Sequence, residues 1–264
     1  MTGAGPRTGA DAPRIHVLAG VLIAGDGRVL LAERPAGKAF AGRWEFPGGK
    51  LDPGETPRAA LDRELAEELG IQVEQAQPLL AVEHRYPGAA GAVLIDSWRV
   101  TRWRGEPASL DGQRLRWRTP AQLPDEDILE ADRPIVTALR LPRCFVRQGL
   151  AAPSGGSCAR LGEPDCLLDP AATGPGAVAV YTTQERFRRA ADAHSLAGRL
   201  IAEVEAARAA AAAGADFLLV CAPALTAEQL AAIASLGLPW YLDARAAAAT
   251  GATATGVLHW RARP

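Results

Sequence analysis

The sequence predicts an α/β protein in two unequal parts. From residue 15 to residue 142, strand-like runs mix with amphipathic helical ones. Gly, Pro and short polar clusters then dominate 143–176, which reads as an irregular linker. Over 177–264, short apolar runs alternate with Ala-rich helical ones. That alternation is the pattern of βα units carrying a parallel sheet, here a smaller, partly barrel-like region.

In chain order, IHVLAGVLIA (15–24) reads as a buried strand. The turn Gly25-Asp26-Gly27 leads to a second strand over 28–32. A helix is expected over 57–69, with Thr56 as N-cap, Pro57 at its first position and Gly70 as its stop. Strands follow near 78–84 and 92–103, then a short apolar alternation around Leu115 and Trp117. Residues 119–133 read as a Pro- and acid-rich loop, and 134–141 as a closing helix. In the second part, strands are expected at 177–181, 217–222, 239–243 and 256–260. A helical region is expected between the first two, and a Thr226-capped helix over 227–235.

Composition excludes several classes. The net charge of −1 gives no global basic field for a nucleic-acid backbone. No apolar run is long enough for a membrane span, and residues 1–14 have no secretory core and read as a disordered tail. The four cysteines, Cys144, Cys158, Cys166 and Cys221, lack the spacing of a zinc site. A cytoplasmic protein with reduced thiols is expected.

The chemistry concentrates in GGKLDPGETPRAALDRELAEELGI (48–71). At about 100° per residue, Leu61, Leu65 and Leu69 form one stripe of the helix. Glu67, Glu64 and Glu68 form a second stripe beside it. Like charges at i,i+4 cost a helix about 0.2–0.5 kcal/mol per pair, so this crowding asks for a cation.

Gly49, Glu55, Arg63, Glu64, Leu65, Glu67, Glu68, Gly70 and Ile71 fit the pattern G-x5-E-x7-R-E-U-x-E-E-x-G-U, where U is a bulky aliphatic. At this point the chain resembles the Nudix hydrolases, with every specified position filled. The resemblance implies an α/β/α sandwich with a mixed sheet over 15–142. It also implies hydrolysis of a nucleoside diphosphate linked to another moiety, with Mg²⁺ or Mn²⁺ as cofactor. Hard cations take oxygen ligands. Those implied are Glu64, Glu67, Glu68 and the Gly48 carbonyl. Arg63 is expected to pair with a carboxylate and orient the site, and Glu55 to hold the loop against the helix. Glu64 is the expected general base, with Glu67 and Glu68 as rivals.

The flanks narrow the resemblance to MutT-type enzymes. They are LLAERPAGKAFAGRWEFPGGK, then W-x-G-E-P at 103–107, and ADRP at 131–134. That likeness implies hydrolysis of oxidised purine nucleoside triphosphates such as 8-oxo-dGTP, and hence sanitation of the nucleotide pool. Carried over, Arg34 contacts the nucleotide, and Glu45, Phe46, Pro47 and Gly48 line its binding strand. Tyr86 stands near the base pocket. Asp111 replaces a metal-reaching Glu, and Asp132 replaces an Asn that reads the purine edge. An ionised Asp accepts only, whereas an Asn both donates and accepts. Asp132 as a helix N-cap is the competing reading.

The second part is weakly similar to a truncated thiamine-phosphate synthase barrel. The expected partner is the nucleotide alone, without nucleic acid or membrane, on a monomer or homodimer. Other nucleoside diphosphate derivatives (ADP-ribose, dinucleoside polyphosphates) or a non-catalytic nucleotide sensor are the alternatives.

Overall fold

The computed structural model describes residues 14–141, 144–147, 158–161, 178–181, 187, 195–221, 225–243 and 256–259. The expected tail before Arg14, and Cys166, lie outside them.

The first part holds six strands: β1 (Arg14–Leu22), β2 (Val29–Glu33), β3 (Trp44–Glu45), β4 (Gln72–His84), β5 (Ala92–Arg104) and β6 (Leu115–Arg118). They form two three-stranded sheets, β1-β5-β4 and β3-β2-β6. β1 runs parallel to β5, and the other pairings are antiparallel, which makes the sheet mixed. Two helices cover it. α1 (Pro57–Leu69) packs on β1 and α2 (Arg133–Arg140) on β4.

Alternation along β1 builds both layers. Leu18 and Leu22 join Leu61, Leu65 and Leu69 beneath α1, while Ala19 and Val21 join Ile135 and Val136 beneath α2. All three leucines of α1 are fully buried. Each contributes about 1.5–3 kcal/mol relative to exposure. Gly20 leaves room for that face, since a Cβ there would lie 2.8 Å from Leu65 Cδ1. The region expected as a loop over 119–133 holds two 3-10 turns, Pro120–Asp125 and Glu130–Asp132.

Among the described residues, the second part forms a seven-stranded, all-parallel sheet. Its strands are β7 (Cys144–Arg147), β8 (Cys158–Leu161), β9 (Val178–Tyr181), β10 (Leu196–Ile201), β11 (Phe217–Val220), β12 (Trp240–Asp243) and β13 (Gly256–His259). Their order is β8-β7-β13-β12-β11-β10-β9. The first strand thus pairs with both the second and the last, as sequential strands do in a barrel. α3 (Val204–Ala212) and α4 (Ala227–Ala234) share an apolar layer with one face of the sheet.

Two expectations are corrected here. The supposed linker over 143–176 contributes β7 and β8, each paired in parallel. The region read as helical between 182 and 213 contains β10 before α3, because pairing with β9 and β11 overrides the Ala-rich local preference. The Thr226 cap is present, with its hydroxyl accepting the Gln229 N–H at 3.2 Å.

Candidate active site

α1 has the limits that its sequence dictates. The Thr56 hydroxyl accepts the Ala59 N–H at 3.3 Å, Pro57 opens the first turn, and Gly70 closes the last in the left-handed conformation at φ 68°. The leucine face is anchored, so the next stripe is held at the edge of the core. There the Arg63 guanidinium works as a fork. Nε and Nη2 donate to the two oxygens of Glu55 at 3.0 and 2.9 Å. Nη1 reaches Glu64 at 2.9 Å and Glu67 at 3.3 Å, and Nη2 also takes the Lys50 carbonyl at 3.1 Å. The side chain therefore ties the glycine loop to the helix.

Gly48 and Gly49 make that tie possible. Gly48 sits at φ 145°, and a Cβ on it would fall 2.1 Å from the Leu18 carbonyl oxygen. Its N–H donates to Glu68 Oε2 at 3.0 Å. Gly49 lies directly against the Glu64 carboxylate. Glu68 is pushed up to about 7, chiefly by burial, with the negative charges of Glu45 and Glu64 adding to it and the Gly48 N–H opposing. Glu45 is also raised by burial, against the Arg34 guanidinium.

The donor chemistry fits a hard divalent cation. It consists of oxygen atoms only, and its carboxylates repel one another until a positive charge enters. Among the described residues, however, no three acidic, His or Cys side chains already converge as a cage. Glu67 is 62% exposed and turned to Arg63, and Glu64 is held by the same guanidinium.

Beside this cluster lies a cavity of about 200 Å³. Arg34, Glu45, Phe46, Gly48, Tyr86 and Asp132 all line it. The segment from Glu45 to Gly48 thus runs from the cavity to the carboxylate cluster. Asp132 is 3% exposed. Its carboxyl is pushed up to about 7 by burial and by Glu45, with the Phe46 N–H and Arg34 opposing. Asp132 Oδ2 accepts that N–H at 3.3 Å. Asp132 occupies the N-cap position of α2 but makes no side-chain cap bond, so the capping alternative is corrected.

Other expected residues are placed as follows. Arg34 is already engaged, with Nε donating to the Ala39 carbonyl at 2.7 Å and Nη1 to Glu45. Pro47 is buried, and its carbonyl accepts the Gly20 N–H at 2.7 Å; it does not line the cavity. Asp111 is exposed in a loop whose backbone meets the end of α1, where the Leu110 N–H donates to the Glu68 carbonyl at 3.0 Å. No hydrogen bond or ion pair among the described residues joins Asp111 to Glu64, Glu67 or Glu68.

Sequence reasoning passed over Phe40. It lines the cavity, its ring centroid lies 4.7 Å from that of Tyr86, and it is the one described non-glycine residue with positive φ, at 60°. No local signal marks it, because Phe is a poor residue for that conformation.

Comparison with known proteins agrees with this geometry. The NUDIX domain family matches residues 13–139. The 8-oxo-dGTP diphosphatase of Proteus vulgaris is 42% identical over 96 residues, which cover 36% of this chain and 84% of that protein. The 8-oxo-dGTP diphosphatase of Escherichia coli K12 is 31% identical over 127 residues, 48% of this chain and 97% of the relative. The CTP pyrophosphohydrolase of the same bacterium is 36% identical over 124 residues, 47% and 90% respectively. The pattern from Gly49 to Ile71 lies inside the matched residues. The chain belongs to the NUDIX family and is a Nudix hydrolase. No described helix is long and apolar enough to cross a membrane.

Proposed function

We propose that the protein hydrolyses purine nucleoside triphosphates, 8-oxo-dGTP among them, to the monophosphate and pyrophosphate. One observation carries this reading. The cavity with the buried carboxyl of Asp132 and the crowded pair Glu64 and Glu68 share the segment from Glu45 to Gly48. A base seated against Asp132 would lay its phosphates toward the helix. The names of two relatives support the same substrate.

In this reading, Glu64, Glu67, Glu68 and the Gly48 carbonyl would hold Mg²⁺ or Mn²⁺, with Asp111 as a further donor. The cation supplies neutralisation of phosphate charge and alignment of the attack. The chain's own residues do the rest. Arg63 fixes Glu64 and the loop that carries Gly48. Glu64 is the proposed base, and Glu68, titrating near 7, is its rival. Arg34 holds the loop around Ala39 against Glu45, so it shapes the pocket. Asp132 and Phe46 face the base.

The test is a panel of 8-oxo-dGTP, dGTP, CTP and ADP-ribose with Mg²⁺ and folded full-length protein, with products identified. Pyrophosphate should appear from the purine triphosphates at the highest kcat/KM. No pyrophosphate from any triphosphate sinks the proposal. Preference for CTP would instead favour a second reading, which rests on the CTP pyrophosphohydrolase relative.

A further inference from the structure

We propose that Phe40, backed by the ring of Tyr86, is a base-stacking residue that selects purines over pyrimidines. The inference rests on the triphosphate reading above and names the part of the pocket that chooses the base. Its backbone, its exposure and its place in the cavity single out Phe40. Its φ of 60° is costly for a bulky side chain, and such strain persists where the surroundings impose it. It is 43% exposed, although burying a Phe is ordinarily favourable. Of the three exposed large hydrophobics among the described residues, two, Phe40 and Ile15, line this one cavity.

This stacking platform is built rather than accidental. Arg34 clamps the loop before Phe40 through the Ala39 carbonyl at 2.7 Å, and the Arg34 N–H takes the Arg43 carbonyl at 2.9 Å on the far side. The rings of Phe40 and Tyr86 are tilted 32° at 4.7 Å, so they touch, and no base fits between them. The base would stack on the face of Phe40 turned away from Tyr86. Tyr86 also meets His84 edge to face, with ring centroids 4.4 Å apart. His84 Nε2 is buried without a hydrogen-bond partner. A purine has the larger π face and stacks more strongly than a pyrimidine, so such an aromatic platform favours it. Asp132 in the same cavity then meets the base edge, and Phe40 meets its face.

Equilibrium binding of dGTP and dCTP without added metal tests this apart from hydrolysis, on wild type, Phe40→Ala, Phe40→Gly and Phe40→Trp. Phe40→Ala should weaken dGTP by roughly 10-fold and dCTP by under about threefold, and Phe40→Trp should restore dGTP. Phe40→Gly relieves the backbone strain, so it should lose dGTP affinity without a lower Tm. If wild type binds dGTP but hydrolyses nothing, the proposed function falls and the stacking role stands when Phe40→Ala loses dGTP selectively. If Phe40→Ala binds both nucleotides as wild type does, or loses both equally, the stacking role is overturned while hydrolysis is untouched. Wild type that binds neither nucleotide overturns it as well.

Discussion

A Cβ added to Gly49 would lie 2.1 Å from Oε2 of Glu64. The carboxylate occupies the space that any other residue would need, so glycine and glutamate here form one device. The obstructing atoms belong to the tip of a side chain, which can swing away. Gly49→Ala should therefore fold with nearly normal Tm yet lose hydrolysis about 100-fold, since a displacement of order 1 Å suffices for such a loss. Gly48→Ala is the contrast. Its Cβ meets a backbone carbonyl at 2.1 Å and its φ is 145°, so it should lower Tm as well as activity. Melting curves and rates on the two variants separate these outcomes; equal Tm losses would contradict the distinction.

Arg63 supplies a second test. Its fork serves Glu55, Glu64, Glu67 and the Lys50 carbonyl together. An ammonium concentrates its donors on one atom and cannot span these acceptors. Arg63→Lys should lower kcat by roughly 10-fold or more while KM for the nucleotide changes less. Amide exchange in residues 50–55 should quicken, because the loop loses its tie to α1. Unchanged exchange together with normal kcat would show that charge alone matters at this position.

The helix carrying this device was legible in the sequence to the residue, because its cap, proline, leucine spacing and glycine stop are all local signals. Four strands of the first part were legible to within a few residues; β4 begins at Gln72, well before the expected 78, and β3 was expected only through the resemblance, as the binding strand of Glu45 to Gly48. Several features were not legible, β7 and β8 in the supposed linker among them, for a common reason. β10 lies in an Ala-rich stretch and becomes a strand only through its neighbours β9 and β11. Asp132 resembles a helix cap in sequence, but Phe46, 86 residues away, takes its carboxyl instead. Phe40 acquires meaning only from Tyr86 beyond β3 and α1. Long-range contacts decide each case, and no window of sequence contains them.

Asp132 makes a pH prediction with a definite sign. The groups facing it are Glu45, Arg34, Tyr86 and the Phe46 N–H. Its folded pKa, near 7, lies above the ordinary 3.8, so between those values the folded state holds a proton that the unfolded chain has lost. Its stability contribution is fully present below about pH 4 and falls as pH rises to about 7. The effect is on the order of 2–4 kcal/mol at most. Asp132→Asn keeps the acceptor for Phe46 and removes the titration. Urea unfolding at pH 5 and pH 8 should show the variant gaining stability relative to wild type at the higher pH. A parallel decline in both proteins would place the titration elsewhere.

The boundary between the two parts can be tested by cutting it. The two apolar clusters of the first part draw only on residues between Leu18 and Leu139, so that part owns its core. Several contacts among the described residues cross the boundary: Gly237 lies against Val82, where a Cβ on it would be 3.5 Å from Val82 Cγ1, and the Arg99 charge reaches Tyr241. Leu141, at the end of α2, joins the cluster of Val180, Leu196, Phe217 and Tyr241 in the second sheet. Truncation after residue 142 exposes this leucine and uncovers part of Val82, and should cost at least about 1.5–3 kcal/mol, since buried aliphatic surface is returned to water. The carboxylates, Arg63, the glycine loop and the cavity all lie between Ile15 and Asp132 and are left intact. The fragment 1–142 should thus melt earlier yet hydrolyse its best nucleotide with kcat/KM within about threefold of the full chain. A folded fragment without activity would mean that the second sheet completes the site, and the division into a self-contained hydrolase followed by a separate βα domain would have to be abandoned.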